Sequence, residues 1–283
     1  MIEVIQPGIH STIQDVGRLK HREQGVPTGG AMDQHAFTLA NHILQHDEMK
    51  PVIEFTIKGP TLYFYGKTIL VLTGAQFQAE LNGKSVSHAT AVFVPAKSTL
   101  KIGSSRNANY GYLCILGGFN TPKILDSGSY HPSLLPSAKL EKGMQFVYIR
   151  PDSKEVKRYS RVNPVHDKFS RTRLDVYPGP EFQLLSEDEQ DKLLNQTYFV
   201  SPSSNRMAIQ LGNTPKLSAK EIITAPVQPG TVQLTPSGQL IVLMRDAQTT
   251  GGYARILQLN DHSINSLAQC EVGKGKEVSL RLV

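Results

Sequence analysis

Polar side chains set against glycine are where this sequence could do chemistry, and four such clusters occur. The first is Gln14-Asp15-Val16-Gly17-Arg18. An amide, a carboxylate and a guanidinium within five residues supply an acceptor, a donor and a fork that fits a carboxylate or phosphate. An Asp–Arg pair bracing a turn would use the same residues. The second, Gly25-Val26-Pro27-Thr28-Gly29-Gly30-Ala31-Met32-Asp33, leads into a helical pattern. Gly29 and Gly30 would leave backbone N–H groups at a helix start open to an anion, with Asp33 as cap rather than catalyst. A plain loop-to-helix turn is the alternative.

The third cluster, Ser204-Asn205-Arg206-Met207, lies between the apolar runs Phe199-Val200 and Ile209-Gln210-Leu211. The fourth is Arg245-Asp246-Ala247-Gln248-Thr249-Thr250-Gly251-Gly252-Tyr253, directly after the most apolar strand pattern. Its hydroxyls, amide, carboxylate and phenol emerge at a strand end, and Gly251-Gly252 lets a ligand or another backbone approach closely. That is more polar machinery than a turn requires, so a binding or catalytic role is expected there.

Other chemistries lack their signatures. The sequence has no GxxxxGK[ST], no strand-following GxGxxG, no HExxH and no GxSxG. His42 and His46 are spaced to share a metal on the first helix, but no third ligand supports them, so surface histidines are expected. Cys114 and Cys270 form no CxxC, which excludes a disulfide framework or a Cys-rich zinc site. Cys114, inside Tyr112-Leu113-Cys114-Ile115-Leu116, reads as a buried inert thiol.

Short strands must position these clusters. Thr68–Leu72, Ala91–Val94 and Leu240–Met244 are brief apolar runs rich in β-branched residues, and Asn82-Gly83 and Ser237-Gly238 are turn signals. Three short helices are expected. One follows Asp33 with Ala36, Leu39, Ala40 and Ile43 on one face. A second opens at the capping box Ser186/Glu189, and a third is capped by Asp261 and carries Ile264, Leu267 and Ala268. Weak echoes between the halves, such as Gly59-Pro60 with Gly179-Pro180 opening each run of strands, suggest an internal duplication. The polar stretch Pro151 to Arg173 reads as the boundary between domains 1–160 and 161–283.

The 283 residues suffice for one large or two ordinary domains, and 39% hydrophobic with 19% charged residues is a globular composition. The formal charge of +6 comes from scattered Lys and Arg, which argues against nucleic acid and fits an anionic substrate or acidic partner. The N-terminus has no export pattern and no segment reaches a membrane span's length, so a cytoplasmic protein is expected.

The clusters, taken together, resemble the family of 5-oxoprolinase C subunits, also called the KipA or allophanate hydrolase subunit 2 family. The resemblance covers essentially the whole chain. It includes Gln14–Arg18, Gly25-Val26-Pro27 with Gly29 and Met32-Asp33, Ala40-Asn41, Glu54, Gly59-Pro60 and Thr73-Gly74-Ala75. It continues through Gly117-Gly118, Gly179-Pro180, Asn205-Arg206-Met207, Gly230 with Gln233, Gln248 to Tyr253, and Leu267-Ala268-Gln269. It implies a mainly β fold of two cyclophilin-like β-barrel domains with a few short helices. It also implies two partners, a KipI-like B component and a LamB/YcsF-type A component. Together they would convert 5-oxo-L-proline to L-glutamate with ATP, and with Mg²⁺.

Under that resemblance Arg18 and Arg206 are the candidate anion contacts, and Asp15 and Asp246 would orient them or bind Mg²⁺. Gln14, Gln233, Gln248, Thr249, Thr250 and Tyr253 would hold the substrate. The sequence departs from the family at Leu19-Lys20-His21, at Gln45-His46 where Gly-Asn is usual, and at Asp126–Tyr130 and Ser137–Leu140, where a glycine-rich segment is eroded. Two alternatives follow. One is the carboxyltransferase part of a biotin-dependent urea carboxylase, with biotin supplied by another protein since no Met-Lys-Met site is present. The other is a non-catalytic regulator that sequesters a KipI-like partner.

Overall fold

The structure, a computed structural model, describes residues 1–105, 108–148, 171–218, 222–272 and 277–283. It divides into two compact units: Met1–Gly17 with Gly29–Asp167, and Arg18–Thr28 with Lys168–Val283. The expected boundary at 160/161, and most of the polar stretch around it, lie outside the described residues. Both units are mainly β, with three α-helices among the described residues.

The first unit contains a six-stranded sheet in the order Gln145–Phe146, Ile2–Gln6, Thr61–Phe64, Ser98–Ser105, Phe77–Leu81 and Lys84–Ser85. A five-stranded sheet runs His10–Gln14, Val52–Thr56, Tyr110–Ile115, Thr68–Gly74 and Val92–Val94. Asn82 and Gly83, with φ of 51° and 78°, make the expected tight turn.

Alternation along the five-stranded sheet explains its apolar runs. Ile53, Phe55, Leu70, Leu72, Leu113 and Ile115 pack with the six-stranded sheet's Ile2, Val4, Leu62 and Leu100. The intervening Val52, Val71, Tyr112 and Cys114 pack with helix α1 (Gln34–Ile43). A sheet covered on both faces has no polar side, so its strands read as unbroken hydrophobic stretches. Cys114 is fully buried, and burial pushes its thiol far above its usual range, as expected of an inert core residue.

Asp33 caps α1, accepting from the Ala36 N–H at 3.0 Å. The buried face differs from the sequence expectation: it is Ala36, Phe37, Ala40 and Asn41, while Leu39 and Ile43 are only half-buried. Asn41 is buried because its amide is used twice over. Its Nδ2 donates to Phe37 O and Lys50 O, and its Oδ1 accepts from Lys50 N at 2.8 Å. His46 lies beyond the helix end and is half-buried, so it shares no helix face with His42. Its Nε2 accepts from Gly117 N at 3.1 Å and its Nδ1 sits 2.8 Å from Asn41 Oδ1, a bracing role for a neutral imidazole.

Gln45, where the resemblance implies glycine, adopts φ 55°. A side chain in this left-handed region is strained against its own backbone. Gln45→Gly is therefore expected to raise stability by about 0.5–1 kcal/mol, net of glycine's entropy cost. Urea unfolding would register this as a higher midpoint at unchanged slope; a lower midpoint would mean that contacts of the Gln45 side chain outweigh the strain.

The second unit closes into a seven-stranded barrel: Arg171–Pro178, Ala254–Leu259, Thr231–Leu234, Leu240–Leu243, Ala208–Gly212, Thr197–Val200 and Glu277–Leu282. A two-stranded ribbon, Ala225–Pro226 with Thr250–Gly251, accompanies it. Helix α2 (Glu187–Asn195) opens at the expected capping box of Ser186 and Glu189. The Ser186 and Ser218 backbone N–H groups hold the Glu189 carboxyl down at about 2. Helix α3 (Asp261–Gln269) buries Ile264, Leu267 and Ala268 as expected, but its cap is Asn260, not Asp261. The Asn260 Oδ1 reaches the Ser263 N–H at 2.8 Å, which leaves Asp261 in the first turn, where a carboxylate favours the helix dipole.

Gly179-Pro180 does not open a run of strands, as its echo of Gly59-Pro60 suggested. It ends a barrel strand and leads towards α2. A Cβ at Gly179 would sit 2.1 Å from Arg255 O, so only glycine lets these two segments meet.

Candidate functional site

Of the candidate residues, Gln14, Asp15, Gly29 and Gly30 belong to the first unit. Arg18, Arg206, Gln233, Asp246, Gln248, Thr249, Thr250 and Tyr253 belong to the second.

In the first unit, Asp15 ends the strand His10–Gln14 and turns its carboxylate onto the Ser127-Gly128-Ser129 loop. Its Oδ1 accepts from Ser127 Oγ at 2.6 Å, Ser129 Oγ at 2.5 Å and Gly17 N at 2.8 Å. Its Oδ2 accepts from Gly128 N at 2.7 Å. A carboxylate that takes four donors while 5% exposed is an organising centre for two distant loops. Ser-Gly-Ser was visible as part of an eroded motif, but nothing in the sequence paired it with Asp15, 112 residues earlier. Gly128 is needed because a Cβ there would stand 2.8 Å from Thr121 Oγ1.

Gly29 and Gly30 have φ of 64° and 85°, and a Cβ on Gly30 would lie 2.9 Å from Asp15 O. Glycine here allows the approach to Asp15 that Ala31 completes, its N–H donating to Asp15 O at 3.0 Å. The N–H groups beyond them meet acceptors of the unit itself. Met32 N donates to Glu54 Oε2 and Asp33 N to Tyr112 Oη, both at 2.8 Å. Just before α1, therefore, the carboxylate of Glu54 takes up the Met32 N–H.

Glu54 is part of a buried polar row that the sequence reading missed. Thr12 stands opposite Glu54, Glu54 opposite Tyr112, and Tyr112 opposite Thr73 across four neighbouring strands. Thr73 Oγ1 donates to Ala36 O at 2.8 Å, so the row fastens the first turn of α1 to the sheet. Burial first, and then the charges of Glu54 and Asp33, push the Tyr112 phenol well above its usual range, leaving it a donor at neutral pH. A lone carboxylate in the apolar strand Val52-Ile53-Glu54-Phe55 was the available signal. Gln14 is likewise fully buried, its Nε2 donating to Thr12 Oγ1 at 3.1 Å.

In the second unit the third and fourth clusters meet. Arg206 Nε donates to Asp246 Oδ2 at 2.7 Å and Nη2 to Asp246 Oδ1 at 2.9 Å. The two side chains are 10% and 8% exposed, so this planar, bidentate pair is nearly dry. Backbone bonds from Asp246 N to Arg206 O and from Met244 N to Met207 O carry the ladder past the strand ends, and fix both residues. Gln233 lies buried beneath Gly251. Its Nε2 is 3.4 Å from Tyr253 O, and would be 2.7 Å from a Cβ on Gly251. Thr249 O accepts from Val227 N at 2.9 Å, while Thr250 pairs with Pro226. The backbone of this stretch is thus held, and the side chains of Gln248, Thr250 and Tyr253 are exposed. Arg18 is 1% exposed, with its N–H donating to Thr28 O at 2.6 Å.

Arg255, just beyond the fourth cluster, makes a second bidentate pair. Its Nε and Nη2 donate to Glu181 Oε2 and Oε1 at 2.9 and 2.7 Å. These hydrogen bonds hold the Glu181 carboxyl below its usual range. A depressed folded value means that the stabilisation is present above the unfolded value of about 4.3, and is lost as pH falls through the folded value. Acid titration of stability is expected to be flatter for Glu181→Gln than for the parent chain below about pH 4.3. Equal slopes would mean that the pair contributes nothing.

Metal ligation finds no ready site: no group of three or more His, Cys, Asp or Glu among the described residues is arranged to hold an ion. Asp15 and Asp246 both spend their oxygens on protein donors, which does not fit the expected Mg²⁺ role.

Comparison with known proteins extends over the whole chain. The family model described as "Carboxyltransferase domain, subdomain A and B" matches residues 24–280. The chain is 29% identical to the 5-oxoprolinase C subunit of Escherichia coli K12 over 280 residues, 97% of this chain and 89% of that protein. It is 31% identical to the 5-oxoprolinase C subunit of Haemophilus influenzae over 297 aligned positions, 99% of this chain and 92% of that protein. Urea amidolyase of Saccharomyces cerevisiae is 40% identical over 130 residues, 46% of this chain but 7% of that enzyme.

Among solved structures, TTHA0988 superimposes with a TM-score of 0.86 at 25% identity, over 99% of this chain and 55% of that one. The chain thus spans about half the length of TTHA0988. The Kluyveromyces lactis urea amidolyase superimposes with a TM-score of 0.88 at 21% identity, over 100% of this chain and 18% of that one, a likeness of fold.

Proposed function

The chain belongs to the carboxyltransferase domain family of subdomains A and B, and on that premise we propose that it is the C subunit of an ATP-dependent 5-oxoprolinase. It would act with a KipI-like partner and a LamB/YcsF-type partner to convert 5-oxo-L-proline to L-glutamate. The observation that carries this reading is coverage. The match takes in 97% and 99% of this chain for two 5-oxoprolinase C subunits, but 46% of it for the urea amidolyase.

The chemistry suits the residues. A lactam is a poor electrophile, and phosphorylating its oxygen would make the ring carbon open to attack. The protein must then supply donors for charge that develops on the transferred group, and a clamp for the substrate. Arg206, held flat and balanced in charge by Asp246, supplies guanidinium N–H donors to the proposed site. Asp246 acts as its positioning residue. Gln248, Thr250 and Tyr253 present amide and hydroxyl groups from a backbone fixed by Gln233 and Val227. ATP would be shared with the KipI-like partner, and Mg²⁺ would arrive on the nucleotide phosphates, since Asp15 and Asp246 are already engaged by protein donors.

The test is reconstitution. The chain with both purified partners, ATP and 5-oxoproline is expected to release glutamate, and omission of the chain to abolish it. Tight association with the KipI-like partner but no glutamate would overturn the enzymatic reading in favour of the regulatory one. The 40% identity to a urea amidolyase segment favours a second reading, a carboxyltransferase acting on carboxybiotin carried by another protein. Decarboxylation of free carboxybiotin by the chain, without glutamate release in the first assay, would select it.

A further inference from the structure

A cavity of about 330 Å³ opens in the second unit, and apart from Val227, whose N–H holds Thr249, its lining residues have no role in the four clusters or the proposed reaction. It lies at the small end of the ~300–1,000 Å³ typical of ligand sites. Prolines 178, 180 and 226, with Leu257, supply apolar wall, and Gln228, Thr231 and Gln258 supply polar wall. The titratable groups lining it are Arg22 and Arg255.

The two arginines are not equivalent. Arg255 is neutralised by its bidentate pair with Glu181, and its Nη1 donates to Pro226 O at 3.0 Å. Among the described residues, Arg22 meets only uncharged acceptors: Nη1 donates to Thr28 Oγ1 at 3.0 Å, and Nη2 donates to Val227 O. These bonds aim the guanidinium without balancing its charge. A half-buried cation without a counter-ion is costly, and burial does lower the Arg22 pKa with no acidic neighbour to raise it. With Arg255 cancelled by Glu181, the cavity wall carries one net positive charge. The other polar groups are largely spent on each other: Thr231 Oγ1 donates to Gln258 Oε1 at 2.9 Å, and Gln258 Nε2 donates to Pro229 O at 2.9 Å.

We infer that this cavity binds the oxyanion group, carboxylate or phosphate, of one small molecule, with Arg22 as its cationic contact. A monoanion would restore neutrality, and the guanidinium fork matches either group. The inference concerns the isolated chain and stands apart from the 5-oxoprolinase reading.

Calorimetric titration of the full chain at low salt tests it, with 5-oxoproline, inorganic phosphate and the uncharged 2-pyrrolidinone as probes. Saturable binding is expected for at least one anion and not for 2-pyrrolidinone. If 5-oxoproline binds, the site takes carboxylates; if phosphate alone binds, it takes phosphoryl groups. Arg22→Met should weaken that binding at least tenfold, with melting confirming a folded chain. Should Arg22→Met fail to fold, Gln228→Glu, which sets a carboxylate at the exposed rim, is expected to weaken anion binding by a similar factor. No saturable binding of either anion, or anion binding that the folded variants leave unchanged, would overturn the inference.

Discussion

Arg206→Ala is expected to destabilise the second unit by about 3–5 kcal/mol, the usual consequence of stranding one half of a buried ion pair. Asp246 would be left with most of its surface out of water and its guanidinium partner gone, because the pair is 10% and 8% exposed. Replacing both partners with apolar residues, Arg206→Met with Asp246→Leu, should cost far less than the single change, since no charge is left unpaired. If the proposed function holds, the double variant should still release no glutamate in the reconstituted complex. Chemical denaturation and the glutamate assay therefore read separate properties. Equal stability losses in the single and double variants would mean that the pair acts through packing alone. Full turnover in a folded double variant would remove Arg206 from the site.

Asp15→Ala should be as damaging to the first unit. It removes the acceptor for two serine hydroxyls and for the N–H groups of Gly17 and Gly128 at once. Each buried group left unsatisfied costs about 1–3 kcal/mol, so a loss above about 3 kcal/mol is expected even if water rescues some of them. Asp15→Asn keeps the shape but swaps an acceptor for a donor, which faces N–H or O–H groups that also donate. It should recover little. Hydrogen exchange at Gly17, Gly128 and Ser129 would localise the effect. Unchanged protection there in a stable Asp15→Ala chain would contradict an organising role for the carboxylate.

What was legible in the sequence is local. Asp33 before Ala36, the Ser186/Glu189 box and Asn82-Gly83 each act within four residues of themselves, and each stands where its pattern placed it. Where two neighbours of similar type competed, locality failed. Asn260 rather than Asp261 caps α3, and α1 turns Phe37 and Asn41 inward instead of Leu39 and Ile43. The 3.6-residue period permits several faces, and the sheet beneath the helix selects one.

The amino-acid sequence by itself determined the mainly β class, the positions of the short helices and the clusters of polar residues beside glycine, because backbone preference and burial period are properties of neighbouring residues. Only the tertiary structure decided what those clusters do. Asp15 meets Ser127 across 112 positions, Arg206 meets Asp246 across 40, and Arg22 meets Val227 across 205. The physical reason is that an isolated charge in a folded chain is defined by its partner, and a buried partner is chosen by how strands and loops pack, which no local pattern encodes.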